Sequence, residues 1–350
     1  MKTEMIKQQL ENLLGLGRVE INVPMAGKTY FRLGGKADFY FEARSREDLE
    51  KAVGWAENAG ITYCVFGLGA NLLVGDRGIR GIAIKVANND FEIIGPYESR
   101  EVGGVAGSSH YQSFDTAKYL KFDDLDTPEP APDTLVRVGA GVSLSHLIGL
   151  TLKLGLTGLQ YFSGIPSTVG GCVYNNVHGG TKLFEQFVDR VVLLNKNGQV
   201  EEVPGKEMAF SYDYSRVQKT GEIVVEVYLK LSHGDTARAK VVREEWLKRK
   251  LKVQPQINCS GCIFKNLTPQ EATRIGAPTV SAGWVLDIGL GMKGTRIGGV
   301  AISEKHANFF VNTGTGTAAD VLALINLAKK KTKEKFNLDL QEEIQKVGEF

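Results

Sequence analysis

Four short stretches of the chain hold residue types able to do chemistry. Cys259-Ser260-Gly261-Cys262 is a C-x-x-C pair, the spacing used for zinc ligation or for dithiol–disulfide exchange. Zinc needs a second pair of ligands, and Cys64 and Cys172 are isolated while the five histidines are scattered. Structural zinc is therefore not the reading, and a disulfide redox site stays open. Gly67-Leu68-Gly69-Ala70-Asn71 resembles a phosphate-binding turn, in which successive backbone N–H groups point at an anion. It is not the G-x-G-x-x-G fingerprint and no helix obviously follows it, so taken alone it is more often an ordinary turn. Arg32-Leu33-Gly34-Gly35 is similarly unspecific. Asn175-Asn176-Val177-His178 places one group that titrates near neutral pH in a long uncharged run, where a hydrogen-bonded core histidine is the commoner reading.

That uncharged run extends from Leu154 to Thr181, long enough to raise the question of a membrane span. Gly155, Gly158, Gly164, Gly170, Gly171, Gly179 and Gly180, with Pro166, Asn175 and Asn176, exclude it, because such a helix would break and leave backbone groups unpaired in lipid. The stretch must instead pack deep and offer its backbone to something, either another strand or a flat ligand. The 41 glycines among 350 residues, against an average of about 7%, point the same way. Lys and Arg number 42 against 40 Asp and Glu, a net charge of +2, and no block of like charge attracts nucleic acid or a membrane surface. Four cysteines are too few for a disulfide scaffold, and the amphipathic N-terminal stretch MKTEMIKQQLENLL lacks the apolar core of a signal peptide, so a cytoplasmic protein is expected.

The elements that position these stretches can be read in part. Residues 38–86 give a strand (DFYFEA), a helix opened by Ser45-Arg46-Glu47-Asp48 and ended by Gly60, the strand ITYCVF, the GLGAN loop, then LLV and IAIKV. Residues 87 to about 134, closing on Thr127-Pro128-Glu129-Pro130-Ala131-Pro132, read as an inserted excursion. The chain resumes with LVRVGAG, a helix near 143–154, the uncharged run, and strands RVVLLN and EIVVEVYLKLS joined through a hairpin at Lys196-Asn197-Gly198. A helix near 236–250 opens a last unit. That unit's final helix, AADVLALINLAKKKTKEKF, has Asp320 in its first turn and lysines in its last, as the macrodipole favours.

Taken in order, these pieces resemble the UDP-N-acetylenolpyruvoylglucosamine reductase family. Thr29-Tyr30-Phe31-Arg32-Leu33-Gly34-Gly35-Lys36-Ala37 is similar to its T-x-x-R-x-G-G-x-A opening. Gly67 to Val74, with Asp76 and Gly78, is similar to G-x-G-S-N-L-L-V-x-D-x-G. Gly158-Leu159-Gln160 and Gly164-Ile165-Pro166-Ser167-Thr168-Val169-Gly170-Gly171 resemble G-L-E and G-I-P-G-T-x-G-G. Gln254-Pro255, Ser260 to Asn266, Ser303 to Phe309, and Glu343-Ile344 with Gly348 follow in the family's order. The short connection between Ser215 and Cys262 resembles the smaller class, which lacks an extra substrate-covering loop. The resemblance implies an α+β fold: a vanillyl-alcohol-oxidase (PCMH) type FAD-binding domain of two α+β subdomains, residues 1–86 and 87–234, and a C-terminal α+β substrate-binding domain, 235–350.

The resemblance further implies FAD and NADPH as cofactors, a UDP-sugar enolpyruvyl ether as substrate, and a monomer in the bacterial cytoplasm without nucleic-acid or membrane partners. FAD would be held by Arg32, Gly34, Gly67, Leu68, Gly69, Ala70, Asn71, Leu72, Gly164, Ile165, Pro166, Ser167, Thr168, Gly170 and Gly171, and the nucleotide sugar by Tyr212, Lys252, Asn266 and His306. Cys262 stands where the family has a proton-donating serine, and a thiol can do that work, since its ordinary pKa of about 8.5 keeps it protonated at neutral pH. Glu343 would support it. The family's Y-R-x-S arginine is replaced: the chain reads Tyr212-Asp213-Tyr214-Ser215-Arg216, so Asp213 occupies the position and Arg216 is the cation left to reach in. Tyr174 to His178 also departs from the family's N-A-G segment, and Ser167 stands for a usual glycine. A paralogue with another substrate, an oxidase on the same fold, and a catalytically silent FAD or nucleotide-sugar binder stay open as alternatives.

Overall fold

The computed structural model describes residues 2–98, 125, 129–180, 182–256 and 258–350. Helices and strands are interspersed as α+β, around three principal sheets. The first sheet orders Val19–Pro24, Lys36–Ala43, Ile79–Val86 and Tyr63–Phe66, antiparallel in its first pair and parallel in the other two. Parallel neighbours need a crossover, and Arg46–Ala59 supplies it. Ser45 caps that helix by accepting from the Asp48 N–H, and Gly60 closes it in the left-handed conformation. Leu49, Ala52, Val53 and Ala56 line its buried face, as their spacing predicts.

The second sheet is antiparallel and orders Val200–Pro204, Val188–Leu194, Ile223–His233, Thr134–Gly139 and Phe91–Pro96. Two expectations are corrected here. The turn at Lys196-Asn197-Gly198 joins Val188–Leu194 to Val200–Pro204, while Ile223–His233 pairs with Val188–Leu194 from the opposite side. Asn195 Oδ1 accepts from the Asn197 and Gln199 N–H groups and closes the ribbon at once. The segment 87–134 is also not wholly an excursion, since Phe91–Pro96 is an edge strand of this sheet. Ile93 and Ile94 are both exposed, so the alternation that marks a half-buried strand is missing. The proline-rich end is anchored: Glu129 accepts from Thr157 Oγ1 at 2.5 Å, Gln160 Nε2 at 2.6 Å and Tyr161 Oη at 3.0 Å, and Ser232 Oγ donates to Pro130 O. The remainder of that segment lies outside the described residues.

The third sheet orders Cys259–Cys262, Phe309–Asn312, Val300–Ile302 and Arg296–Ile297. The helix Ala318–Phe336 covers it, opened by a Thr317–Asp320 capping box, and buries Val321, Leu324, Ile325 and Ala328 with Phe264, Phe310 and Ile302. Each fully buried aliphatic side chain of that size contributes about 1.5–3 kcal/mol. Phe31, Leu33 and Leu73 from the N-terminal part of the chain join the same core. Gln345–Val347 then pairs in parallel with Leu72–Val74, so the end of the chain returns to the strand that follows the GLGAN loop. The helix Thr236–Val253 lies against the middle of the molecule. Its Ala239 belongs to the core of the second sheet, and Val242 and Trp246 cluster with Leu125 and Tyr161.

Candidate active site

A cleft of about 1610 Å³ opens where loops from the three sheets converge. Small-molecule pockets run to about 300–1,000 Å³, so the volume suits a large ligand or two in sequence. Its walls include the 67–72 loop, the 164–171 run, the end of the helix Thr236–Val253, the 259–262 strand and residues 343–347.

The 67–71 loop carries the marks of a ligand site. A Cβ on Gly67 would lie 2.4 Å from Thr168 Oγ1, so only glycine lets the loop touch the start of the helix Val169–Asn175. Among the described residues, no backbone-to-backbone hydrogen bond takes up the N–H groups of Leu68, Gly69 or Ala70. Asn71 is held from both sides, its carbonyl accepting from Gln345 N–H at 3.0 Å and its Nδ2 donating to Glu343 O at 3.2 Å. Its Oδ1 is buried with no partner among the described residues. Unused donors beside an orphan acceptor are what a phosphate-bearing, hydrogen-bonding ligand would complete.

The 164–171 run lines the cleft but offers fewer donors than the sequence suggests. The N–H groups of Ile165, Ser167, Val169 and Gly170 are spent on backbone carbonyls and that of Gly171 on Thr168 Oγ1. Among the described residues, no backbone carbonyl takes up those of Gly164 and Thr168. Lys250 lies against this run and donates to Ser163 O at 2.6 Å, with its ammonium 5.4 Å from the Trp246 ring centroid. Burial pulls its pKa down to about 7.

The acids sit across the cleft. The strand Cys259–Cys262 breaks register between its two cysteines, and Gly261, at φ +78°, takes the left-handed conformation that the bulge requires. The bulge turns Cys262 to the cleft. Asn308, 1% exposed, clamps the next residue pair: its Oδ1 accepts from Phe264 N–H at 3.0 Å, its Nδ2 donates to Phe264 O at 2.8 Å, and its carbonyl accepts from Ile263 N–H. Glu343 N–H donates to Ile263 O at 2.8 Å, which fixes that carboxyl beside the thiol. Burial, and then the Glu343 and Asp213 charges, push the Cys262 thiol well above the usual thiol range. Burial and the Asp213 charge likewise push Glu343 well above the usual carboxylate range, against the pull of Lys265. The thiol therefore holds its proton at neutral pH, and the carboxyl is biased toward its protonated form.

Asp213, 5% exposed, stands with them at the tip of a tight turn closed by mutual Ser211–Tyr214 backbone bonds. Its Oδ1 is 3.8 Å from His178 Nδ1, and its carbonyl accepts from Gln218 Nε2 and Lys265 Nζ. His178 is half-buried and lines the cleft, so it is not the enclosed core residue that the sequence alone suggests.

Of the residues named from sequence, Gly67 to Leu72, Gly164 to Thr168, Gly170, Gly171, Cys262, Asn266, His306 and Glu343 all line the cleft. His306 is neutral there: burial and the neighbouring Lys293 charge lower its pKa to about 4, and its Nδ1 accepts from Asn308 N–H. Asn266 Oδ1 accepts from Ala282 N–H. Five others lie off the lining. Arg32 is exposed, and its carbonyl accepts from Asn312 Nδ2, while Gly34 is wedged against Val74. That opening motif joins the N-terminal segment to the third sheet. Tyr212 stacks on His178 at 5.6 Å. Arg216 turns away into a bidentate pair with Glu222, at 3.0 and 2.7 Å, so it does not reach the acids. Lys252 is exposed, and Lys250 occupies the cleft in its stead. The spacing Ala239, Val242, Trp246, Lys250 follows one helical face and would have selected the right lysine.

Residues 254–347 match the family described as UDP-N-acetylenolpyruvoylglucosamine reductase, C-terminal domain. Similar curated proteins carry the reductase name over nearly their whole lengths. That of Caldanaerobacter subterraneus subsp. tengcongensis is 30% identical, covering 99% of each chain. That of Heliobacterium modesticaldum is 32% identical over 93% of this chain and 90% of its own. Reductase 1 of Bacillus cereus is 32% identical over 97% and 99%. The crystal structure of the reductase from Thermus caldophilus superposes with a TM-score of 0.67 at 27% identity, covering 94% of this chain and 97% of that one.

Proposed function

The chain belongs to the UDP-N-acetylenolpyruvoylglucosamine reductase family, and from that premise we propose how its own residues carry the reaction. The protein is an NADPH-dependent, FAD-containing oxidoreductase that reduces UDP-N-acetylglucosamine enolpyruvate to UDP-N-acetylmuramate in peptidoglycan precursor synthesis.

The residues present fit a flavin dinucleotide: the unused N–H groups of Leu68 to Ala70 and the orphan Asn71 Oδ1 suit a pyrophosphate and its neighbouring hydroxyls. Bound FAD would supply hydride transfer from NADPH to C3 of the enolpyruvyl ether. Charge then develops toward the substrate carboxylate, and C2 must gain a proton. Cys262 gives that proton, since its thiol is held loaded in the cleft, and solvent returns one to the thiolate. Glu343, protonated, donates a hydrogen bond to the carboxylate as charge builds. Lys250 holds the nucleotide-sugar anion in the place given by sequence to Lys252. Asn266 and neutral His306 border the same end of the cleft.

The observation that carries this reading is the junction at Asn71 and Glu343, where one pair of side-chain and backbone bonds ties the anion loop to the acids. The same reading places the protein in the bacterial cytoplasm as a monomer, which light scattering checks. The deciding experiment is anaerobic. Flavin absorbance should bleach with NADPH and recover with UDP-N-acetylglucosamine enolpyruvate, forming UDP-N-acetylmuramate. Bleaching without recovery would refute the substrate, and a protein that holds no FAD would refute the reading altogether.

A further inference from the structure

Two departures from the family pattern meet in space. Asp213 replaces the arginine of the Y-R-x-S motif, and His178 ends the segment that replaces N-A-G; the two side chains lie 3.8 Å apart at the cleft. Their juxtaposition is built. Asn176, fully buried, donates through Nδ2 to Ser211 O at 3.1 Å and to Glu185 Oε2 at 3.0 Å. Ser215 Oγ and Gln218 Nε2 both donate to Tyr174 O at 2.8 Å, and Gln218 also donates to Asp213 O. The 211–215 turn is thus strapped to the segment that carries His178. Asp213 Oδ2 is buried and has no hydrogen-bond partner among the described residues. A buried, unsatisfied carboxylate oxygen is costly, and a cation beside it is the usual compensation.

A bare aspartate would repel the enolpyruvyl carboxylate and the charge that develops on it. The groups facing the pair are Tyr212 at the His178 ring, Lys182 on the strand paired with His178–Gly179, and Lys265, Glu343 and Cys262 around Asp213. Lys265 is bonded to the Asp213 carbonyl. The His178 ring, half-buried and on the cleft lining, is the member of the pair that faces a ligand.

Resting on the reading of the substrate given above, we infer that His178, positioned by Asp213, donates a ring N–H to the substrate carboxylate in the role an arginine would otherwise take. His178 is then a substrate-binding residue and Asp213 its positioning residue. Neither gives up a proton in the reaction, and the C2 proton still comes from Cys262.

The test compares two ligands by calorimetry on the oxidised holoenzyme: UDP-N-acetylglucosamine enolpyruvate, and UDP-N-acetylglucosamine, which lacks the carboxylate. His178→Ala and the milder His178→Gln should weaken the first by about ten- to hundredfold, the span of one charge-assisted hydrogen bond. The second should change less than about twofold. Asp213→Asn should show the same selective loss, smaller in size, and the double variant His178→Gly with Asp213→Arg should regain most of the carboxylate preference. Equal weakening of both ligands, or no change in either, would overturn the inference. Wild-type protein that binds neither ligand would overturn the substrate reading itself, and this inference with it.

Discussion

Replacing Cys262 by alanine removes the proposed proton donor while leaving the flavin side of the cleft intact, so the two half-reactions should separate. The bulge is held by Asn308 through backbone groups of Ile263 and Phe264, bonds that survive loss of the thiol, whose own contact is to the Asn308 side chain. Folding and flavin reduction by NADPH should therefore stay within about twofold of wild type. A positioned general acid contributes about 10²–10⁴ in rate, so reoxidation by the enolpyruvyl substrate should slow by that factor, about 2.7–5.4 kcal/mol in barrier. Stopped-flow absorbance of the flavin reads both halves in one anaerobic experiment. The pH dependence adds a sign. The thiol must be protonated to act, and burial with two neighbouring acids raises its pKa, so reoxidation should persist through the range where an ordinary thiol ionises and decline only above it. In Cys262→Ser that alkaline decline should vanish, because a serine hydroxyl does not ionise there. Reoxidation unchanged in Cys262→Ala, together with a large loss in Cys259→Ala, would refute the assignment and favour dithiol chemistry.

Three further outcomes follow from the site. Arg216→Gln breaks a half-buried bidentate pair with Glu222 and should cost about 1–2 kcal/mol by denaturant titration, with reoxidation within about twofold; a hundredfold loss would return Arg216 to the chemistry. Gly67→Ala drives a Cβ into Thr168 Oγ1 and should lower the fraction of protein purified with FAD, read from the ratio of flavin to protein absorbance, more than it lowers the melting temperature. Lys250 has a folded pKa near 7, below its unfolded value, so the unfolded chain binds the extra proton between about pH 7 and 10.4 and wild type loses stability as pH falls through that window. The melting temperature of Lys250→Met minus that of wild type should accordingly be larger at pH 7 than at pH 9.5, and an unchanged difference would argue against the depressed pKa.

What the sequence makes legible is what short-range pattern encodes. The helix Arg46–Ala59 with its serine cap and glycine stop, the loop at Gly67, and the ordered motifs ending in Glu343 all stand where their residue types put them. What it hides depends on distance in the chain. Phe91–Pro96 exposes its isoleucines and looks like a loop until its partner Thr134–Gly139 is known. The N–H groups of the 164–171 run look available until the carbonyls of Ala140 and Val142 are seen to take two of them. Arg216 is the nearest spare cation by sequence, yet Glu222 six residues on claims it first. His178 and Asp213 meet where the Asn176 side chain reaches across to Ser211 and those of Ser215 and Gln218 reach back to Tyr174 O, tertiary bonds that no local spacing announces.

Exchanging an arginine for Asp213 changes the proton inventory of the site as well as its charge. An arginine beside Glu343 would lower the pKa of that carboxyl, whereas Asp213 raises it and biases it toward its protonated form. The thiol responds in the same direction, because both neighbouring acids act on Cys262. The site thus gives up a fixed positive charge and holds its two acids more firmly in their protonated forms. It can still stabilise an enolate-like charge, provided that hydrogen bonds from Cys262, Glu343 and the His178 ring replace the guanidinium. Putting arginine back at position 213 alone would therefore not improve the enzyme. It would restore a cation but crowd it against the His178 ring, which occupies the same corner, and would draw Glu343 toward ionisation. The single variant should bind the enolpyruvyl substrate yet turn it over more slowly than wild type, and only the accompanying change at His178 should relieve the conflict.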